Sequence, residues 1–142
     1  MAKADHTGQG LLFAGARSRR VKRNGRRQNA ETGLMRACLD WLALHPGIVP
    51  MAWRNNSGLA LLRKGGVLKL APIGSPDIVG FLADGRFLGV ECKLPGEEPT
   101  EEQAEFLGLI QRSGGVALVV HTVDELAADL VRITGKGDSR VR

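Results

Sequence analysis

Gly74-Ser75-Pro76-Asp77-Ile78-Val79-Gly80-Phe81-Leu82-Ala83-Asp84-Gly85-Arg86-Phe87-Leu88-Gly89-Val90-Glu91-Cys92-Lys93 is the stretch whose reading decides the fold. Two short runs with β-branched and aromatic content, Ile78 to Leu82 and Phe87 to Val90, flank an Asp84-Gly85 turn, which is the pattern of a β-hairpin. Side chains alternate along a strand, so Glu91 and Lys93 share one face and Cys92 points to the other. Pairing around the turn sets Asp77, at the far end of the first strand, beside Glu91 and Lys93 at the far end of the second. Two carboxylates and one amine thus gather at the end of the sheet away from the turn.

Such a cluster suits a hard divalent cation. Magnesium takes one or two carboxylates, keeps several waters and accepts substrate phosphate for the rest. A lysine on the same face can orient or deprotonate water, or contact the phosphate. Taken from the hairpin alone, a solvated rim held by an ion pair accounts for the same residues equally well.

The spacing Pro76-Asp77, thirteen residues, Glu91-Cys92-Lys93 resembles the PD-(D/E)XK nuclease signature. More narrowly, the chain resembles the VRR-NUC family, in its small stand-alone, phage-type form. The matching residues are Trp53-Arg54-Asn55-Asn56-Ser57-Gly58, Gly74 to Ile78, Gly89 to Lys93, Pro99 to Gln103, Phe106-Leu107 and Gly114-Gly115, within about Glu31 to Glu125. The resemblance implies a restriction-endonuclease-like α/β core, a mixed central sheet flanked by helices. It also implies Mg²⁺ or Mn²⁺ bound by Asp77, Glu91 and the Cys92 backbone carbonyl, with Lys93 acting on the attacking water and Gln103 and Glu31 in support. Glu31 would also be a candidate ligand of a second metal. Hydrolysis would leave a 5′-phosphate. Small stand-alone members of this family resemble Holliday-junction resolvases, so the resemblance implies a homodimer and a structure-specific, Holliday-junction-like branched DNA substrate; a nuclease-fold module that binds DNA without cutting it is the alternative.

At 142 residues the chain suffices for one domain with a core that needs no disulfide or metal staple. Hydrophobic and charged contents of 43% and 25% are those of an ordinary globular protein. Cys38 and Cys92 form no CxxC or zinc pattern and read as packing residues in a reducing compartment. No apolar run is long enough to span a membrane, and the short run Leu11 to Ala16 precedes its arginines, the wrong order for a secretory signal. A cytoplasmic protein is expected.

The net charge of +5 is unevenly placed. Residues 1–27 carry eight Lys/Arg against one Asp, +7, and the remainder twelve against fourteen, −2. Residues 1–28 therefore read as a flexible basic arm, 29–134 as the nuclease-like domain and 135–142 as a frayed tail. Arg17, Arg19, Arg20, Lys22, Arg23, Arg26 and Arg27 would bind a polyanion without sequence preference; an idle solubilising tail is the plain alternative.

Asn29 reads as the cap of a helix to about His45, with Leu34, Cys38, Trp41 and Leu42 as its buried stripe. Glu31 suits the positive end of that helix as well as a metal. A strand over 48–54 leads to Asn55-Asn56-Ser57-Gly58, a turn by composition, where Arg54, Asn55 and Asn56 are candidate phosphate or base contacts. A second hairpin is expected from 59–62 and 67–70 around Arg63-Lys64-Gly65-Gly66. Thr100 caps a helix to about Ser113, and Gln103 is either its capping-box partner or an active-site group; one amide is not expected to serve both. Val116 to Val120 reads as a buried central strand, and Thr122-x-x-Glu125 as a capping box for a last helix. No GxxxxGK[ST], Gly-x-Ser-x-Gly or clustered histidines support a P-loop, a serine hydrolase, a zinc site or an HNH nuclease. No nucleotide cofactor is expected.

Overall fold

The computed structural model describes residues 25–137. In order these form α1 (Gly25–Ala43), β1 (Met51–Arg54), β2 (Leu59–Leu61), β3 (Val67–Lys69), β4 (Ile78–Phe81), β5 (Phe87–Cys92), α2 (Glu101–Arg112), β6 (Val116–Val120) and α3 (Val123–Thr134). The basic residues Arg17 to Arg23 and the end of the C-terminal tail lie outside the described residues.

The expected hairpin is β4–β5, antiparallel with Ile78 opposite Val90 and Phe81 opposite Phe87. Its turn closes because Gly85 takes a left-handed φ of 89° and the Asp84 carboxylate accepts from Arg86 N (3.0 Å) and Nε (2.8 Å). β1 adds antiparallel to β4, and β6 adds parallel to β5 after the α2 crossover, giving a mixed four-stranded sheet in the order β1-β4-β5-β6.

Alternation sorts the sheet into two faces. Ile78, Leu88, Val90, Cys92, Val116, Leu118 and Val120 point to one side, where Cys38 and Leu42 of α1 and Leu126 and Leu130 of α3 close the core. The other face carries Val79, Gly89 and Glu91, and α2 lies against it: a Cβ on Gly89 would meet Ile110 Cδ1 at 2.6 Å. Helices therefore flank the sheet on both sides.

Three details differ from the sequence expectations. α1 begins at Gly25, so Asn29 is inside the helix rather than its cap, and Arg26 and Arg27 belong to its first turn rather than to an arm. Arg27 pairs with Glu97 of the loop after β5, which ties that first turn to the domain. β6 is an edge strand, not a central one; its apolar run arises because α3 and α2 cover its two faces. Thr122 does cap α3 by accepting from Glu125 N, but the Glu125 carboxylate turns back to His121 N (2.7 Å) instead of completing a box.

The segment before Asp77 is anchored by Gly74. Its φ is 81°, and a Cβ there would lie 2.4 Å from the Glu102 carbonyl oxygen of α2. Backbone meets backbone, so no side chain can swing aside. Gly74→Ala is expected to lower unfolding free energy by about 2–4 kcal/mol, read by urea denaturation. A loss below about 0.5 kcal/mol, the size of an ordinary surface change, would mean this loop is not held by α2.

Candidate active site

Asp77 and Glu91 are the next positions beyond the last β4–β5 ladder pair, Ile78 and Val90. Leu82 N donates to Arg86 O, which makes Ile78–Val90 a hydrogen-bonded pair and the following Asp77–Glu91 position a close, non-hydrogen-bonded one. One step further, Pro76 stands opposite Cys92. Proline has no N–H to offer the Cys92 carbonyl, and a strand C=O points opposite to the following N–H. Lys93 N donates to Val120 O on β6 (3.0 Å), so the Cys92 carbonyl faces the Asp77 side without a ladder donor. The Cys92 N–H on that side is taken by Asp77 Oδ2 (3.0 Å), and the Pro76 carbonyl accepts instead from Asn55 Nδ2 (2.9 Å).

A cavity of about 200 Å³ opens at this end of the sheet. It is lined by Glu31, Thr32 and Met35 of α1, Arg54 of β1, Asp77, Glu91, Cys92, Lys93 and Gln103 of α2. All five residues expected to carry chemistry (Glu31, Asp77, Glu91, Lys93 and Gln103) reach this one space. Thr32 and Met35 were not anticipated; the signal was available, since positions 31, 32 and 35 share a helix face.

Glu91 is 1% exposed and its Oε1 accepts from Lys93 Nζ (3.0 Å) and Gln103 Nε2 (2.5 Å). Lys93 is itself buried. Glu91 Oε2 is buried with no hydrogen-bond partner. Burial, and then the neighbouring Asp77 carboxylate, push the Glu91 pKa up to about 7 against the pull of Lys93. A buried carboxylate with one satisfied oxygen, one unsatisfied oxygen and a second carboxylate beside it favours a proton or a cation at that place.

Gln103 performs both tasks that the sequence reading set against each other. Its Oε1 accepts from Thr100 N (2.8 Å) and completes the capping box, while its Nε2 donates to Glu91. The two ends of the amide point different ways, so the α2 cap fixes the rotamer that holds the Glu91 carboxylate.

The other candidates are placed less favourably. Asn55 Nδ2 donates to Ser75 Oγ and Pro76 O, both at 2.9 Å, which occupies its two hydrogens in holding the loop before Asp77. Buried Ser75 was missed as its partner, because they are joined only through the tertiary fold. Asn56 is exposed, Arg54 is exposed on the cavity rim, and the Arg27 charge is met by Glu97. Arg26 is exposed on the first turn of α1, away from the cavity lining. His121 joins the Glu97 carbonyl (Nε2, 3.1 Å) to Glu125 (Nδ1, 3.2 Å) and has a structural task. The Cys38 thiol beside it, together with burial, holds the Cys92 thiol well above the usual range, so Cys92 offers its carbonyl oxygen and not sulfur.

Among the described residues, no three His, Cys, Asp or Glu side chains form a ready-made metal cluster. Two adjacent carboxylates, an unsatisfied buried Oε2 and an inward-facing carbonyl nevertheless fit the lean all-oxygen donor set of magnesium or manganese, which leaves room for water and phosphate. Comparison with family models gives no match, and comparison with curated proteins gives none either. No helix among the described residues is long and apolar enough to cross a membrane.

Proposed function

We propose that this chain is a Mg²⁺- or Mn²⁺-dependent DNA endonuclease with a restriction-endonuclease-like core, hydrolysing phosphodiester bonds in branched DNA of the four-way-junction kind. The supporting observation is the meeting of Asp77, Glu91, Lys93 and Gln103 in one cavity, with Glu91 Oε2 buried and unsatisfied. Asp77, Glu91 Oε2 and the Cys92 carbonyl would hold the ion, with Glu31 lining the same cavity. When bound, it supplies Lewis acidity toward a phosphate oxygen and toward water.

The chain's own groups do the rest. Gln103 and Lys93 fix Glu91 through Oε1, which leaves Oε2 for the ion. Lys93 presents an ammonium at the floor of the cavity, where it orients the attacking water and offsets charge on the phosphate. Arg54 at the rim meets the approaching backbone. The basic residues Arg17, Arg19, Arg20, Lys22 and Arg23 add a sequence-independent hold on the phosphates. A homodimer would set two such sites about one two-fold axis, matching paired incisions in a symmetric junction. That no third acidic side chain clusters with these two among the described residues is what favours a second reading, a nuclease-fold module that binds DNA without cutting.

Labelled four-way junction, flap, linear duplex and single-stranded DNA incubated with Mg²⁺, Mn²⁺ or EDTA separate these readings. Metal-dependent, paired and symmetric cuts in the junction are the expected result. Tight, salt-sensitive binding of every substrate with no product under any metal would leave the binding module.

A further inference from the structure

The segment 55–76 lies between β1, which ends at the cavity, and Asp77, which lines it. It holds the β2–β3 hairpin, which pairs only with itself and forms a two-stranded sheet apart from the main one. Two strands alone bury little in water, and this pair buries almost nothing. Leu61 is 84% exposed, Leu59 69% and Val67 58%, with Leu62 and Leu68 about half exposed. Leu61 stands directly opposite Val67, so the two share one face beside the Arg63-Lys64-Gly65-Gly66 tip.

The charge of this segment is the second observation. Residues 55–76 hold three Lys/Arg and no Asp or Glu, +3, whereas the rest of the described chain holds nine Lys/Arg and thirteen Asp/Glu, −4. An apolar hairpin with a cationic tip is suited to a polyanion with an apolar interior. Self-association through this face would set +3 against +3 across a two-fold axis. The hairpin is also rooted at the site. Asn55 N donates to the Asp77 carbonyl (2.7 Å), and Asn55 Nδ2 clamps the opposite stem at Ser75 and Pro76. The stem of the hairpin is therefore tied to the backbone at Asp77.

We propose that the β2–β3 hairpin is a wedge that inserts Leu61 and Val67 between bases of the DNA bound at the cavity, at the point where its strands part, while Arg63 and Lys64 hold the flanking phosphates. Aliphatic side chains entering a base step beside basic residues are a general means of unstacking and kinking DNA. This rests on the nuclease reading of the site. It assigns that site a substrate whose base pairs can open, such as a junction centre or a duplex end.

The test uses full-length Asp77→Asn protein, which is expected not to cut, and a four-way junction with 2-aminopurine at the branch. Binding is followed by anisotropy and unstacking by 2-aminopurine fluorescence. Fluorescence should rise on binding, and adding Leu61→Ser and Val67→Ser should remove most of that rise, about five-fold, with affinity changed by less than about three-fold. Both positions are exposed, so the thermal unfolding midpoint should not move. An unchanged rise in the serine variant overturns the wedge. So does binding and metal-dependent cutting by the unaltered chain without any rise, which leaves the nuclease reading standing. Neither binding nor cutting by the unaltered chain overturns that reading and the wedge with it. Loss of a dimer in sedimentation of the serine variant, with the fluorescence rise intact, makes the hairpin a contact between copies and overturns the wedge.

Discussion

Asp77→Asn is expected to lose metal-dependent cleavage by on the order of a thousand-fold or more, several kcal/mol of transition-state stabilisation, while DNA binding persists. Asparagine is the informative substitution because its Oδ1 can still accept from Cys92 N, as Asp77 Oδ2 does at 3.0 Å. Alanine would leave that N–H unpaired and confuse a chemical loss with a structural one. The metal-free variant should melt higher than the unaltered protein near neutral pH, because the Asp77 charge is one of the groups that make the buried Glu91 carboxylate unfavourable. Removing a like charge from a functional site commonly stabilises the fold at the expense of activity. Conversely, Mg²⁺ should raise the melting temperature of the unaltered chain and have little effect on the variant. Cleavage by Asp77→Asn at the original rate would sink the assignment of this carboxylate.

The second large effect is on Lys93. Lys93→Met removes the only ammonium within 4.0 Å of Glu91 among the described residues and leaves a buried carboxylate without its ion pair. The sign follows from the Glu91 pKa, about 7 in the folded chain against an ordinary 4.5. A raised carboxyl pKa contributes stability that is fully present below about 4.5 and is lost as pH rises to about 7. That loss is on the order of 3 kcal/mol in the unaltered, metal-free protein. Without Lys93 the folded pKa climbs further, so the decline continues to higher pH. Lys93→Met should therefore cost about 1.4 kcal/mol at pH 8, one unit above the Glu91 pKa, and little at pH 5, where Glu91 already carries a proton. Denaturant unfolding at the two pH values reads this directly. A pH-independent loss would mean that Lys93 matters only through packing. Cleavage should fall with Lys93→Met at any pH, since the water and phosphate lose their cationic partner.

Much of this could be read from twenty residues because the rules involved are local. The Asp84-Gly85 turn dictates the β4–β5 pairing, the two-residue period of a strand sets Glu91 and Lys93 on one face, and the register then leaves only Asp77 opposite Glu91. The cap at Thr100 and the apolar stripe of α1 obey equally short-range preferences. What the chain's linear order did not reveal depended on contacts between distant segments. The Val116–Val120 run is apolar because two helices cover it, and burial by helices looks the same in sequence as burial between strands. The Gln103 amide serves cap and carboxylate together because α2 crosses the sheet with its first turn over Glu91. The role of Asn55 emerges only when β1 lies beside β4 and its amide meets Ser75 and Pro76. Pro76, plain in the sequence, gains its meaning from Cys92 across the ladder, where a missing N–H leaves a carbonyl facing the cavity. Near-neighbour geometry sets turns, caps and alternation; which carboxylate is dry, and which oxygen is left without a partner, follows only from how the sheet, α1 and α2 exclude water around it.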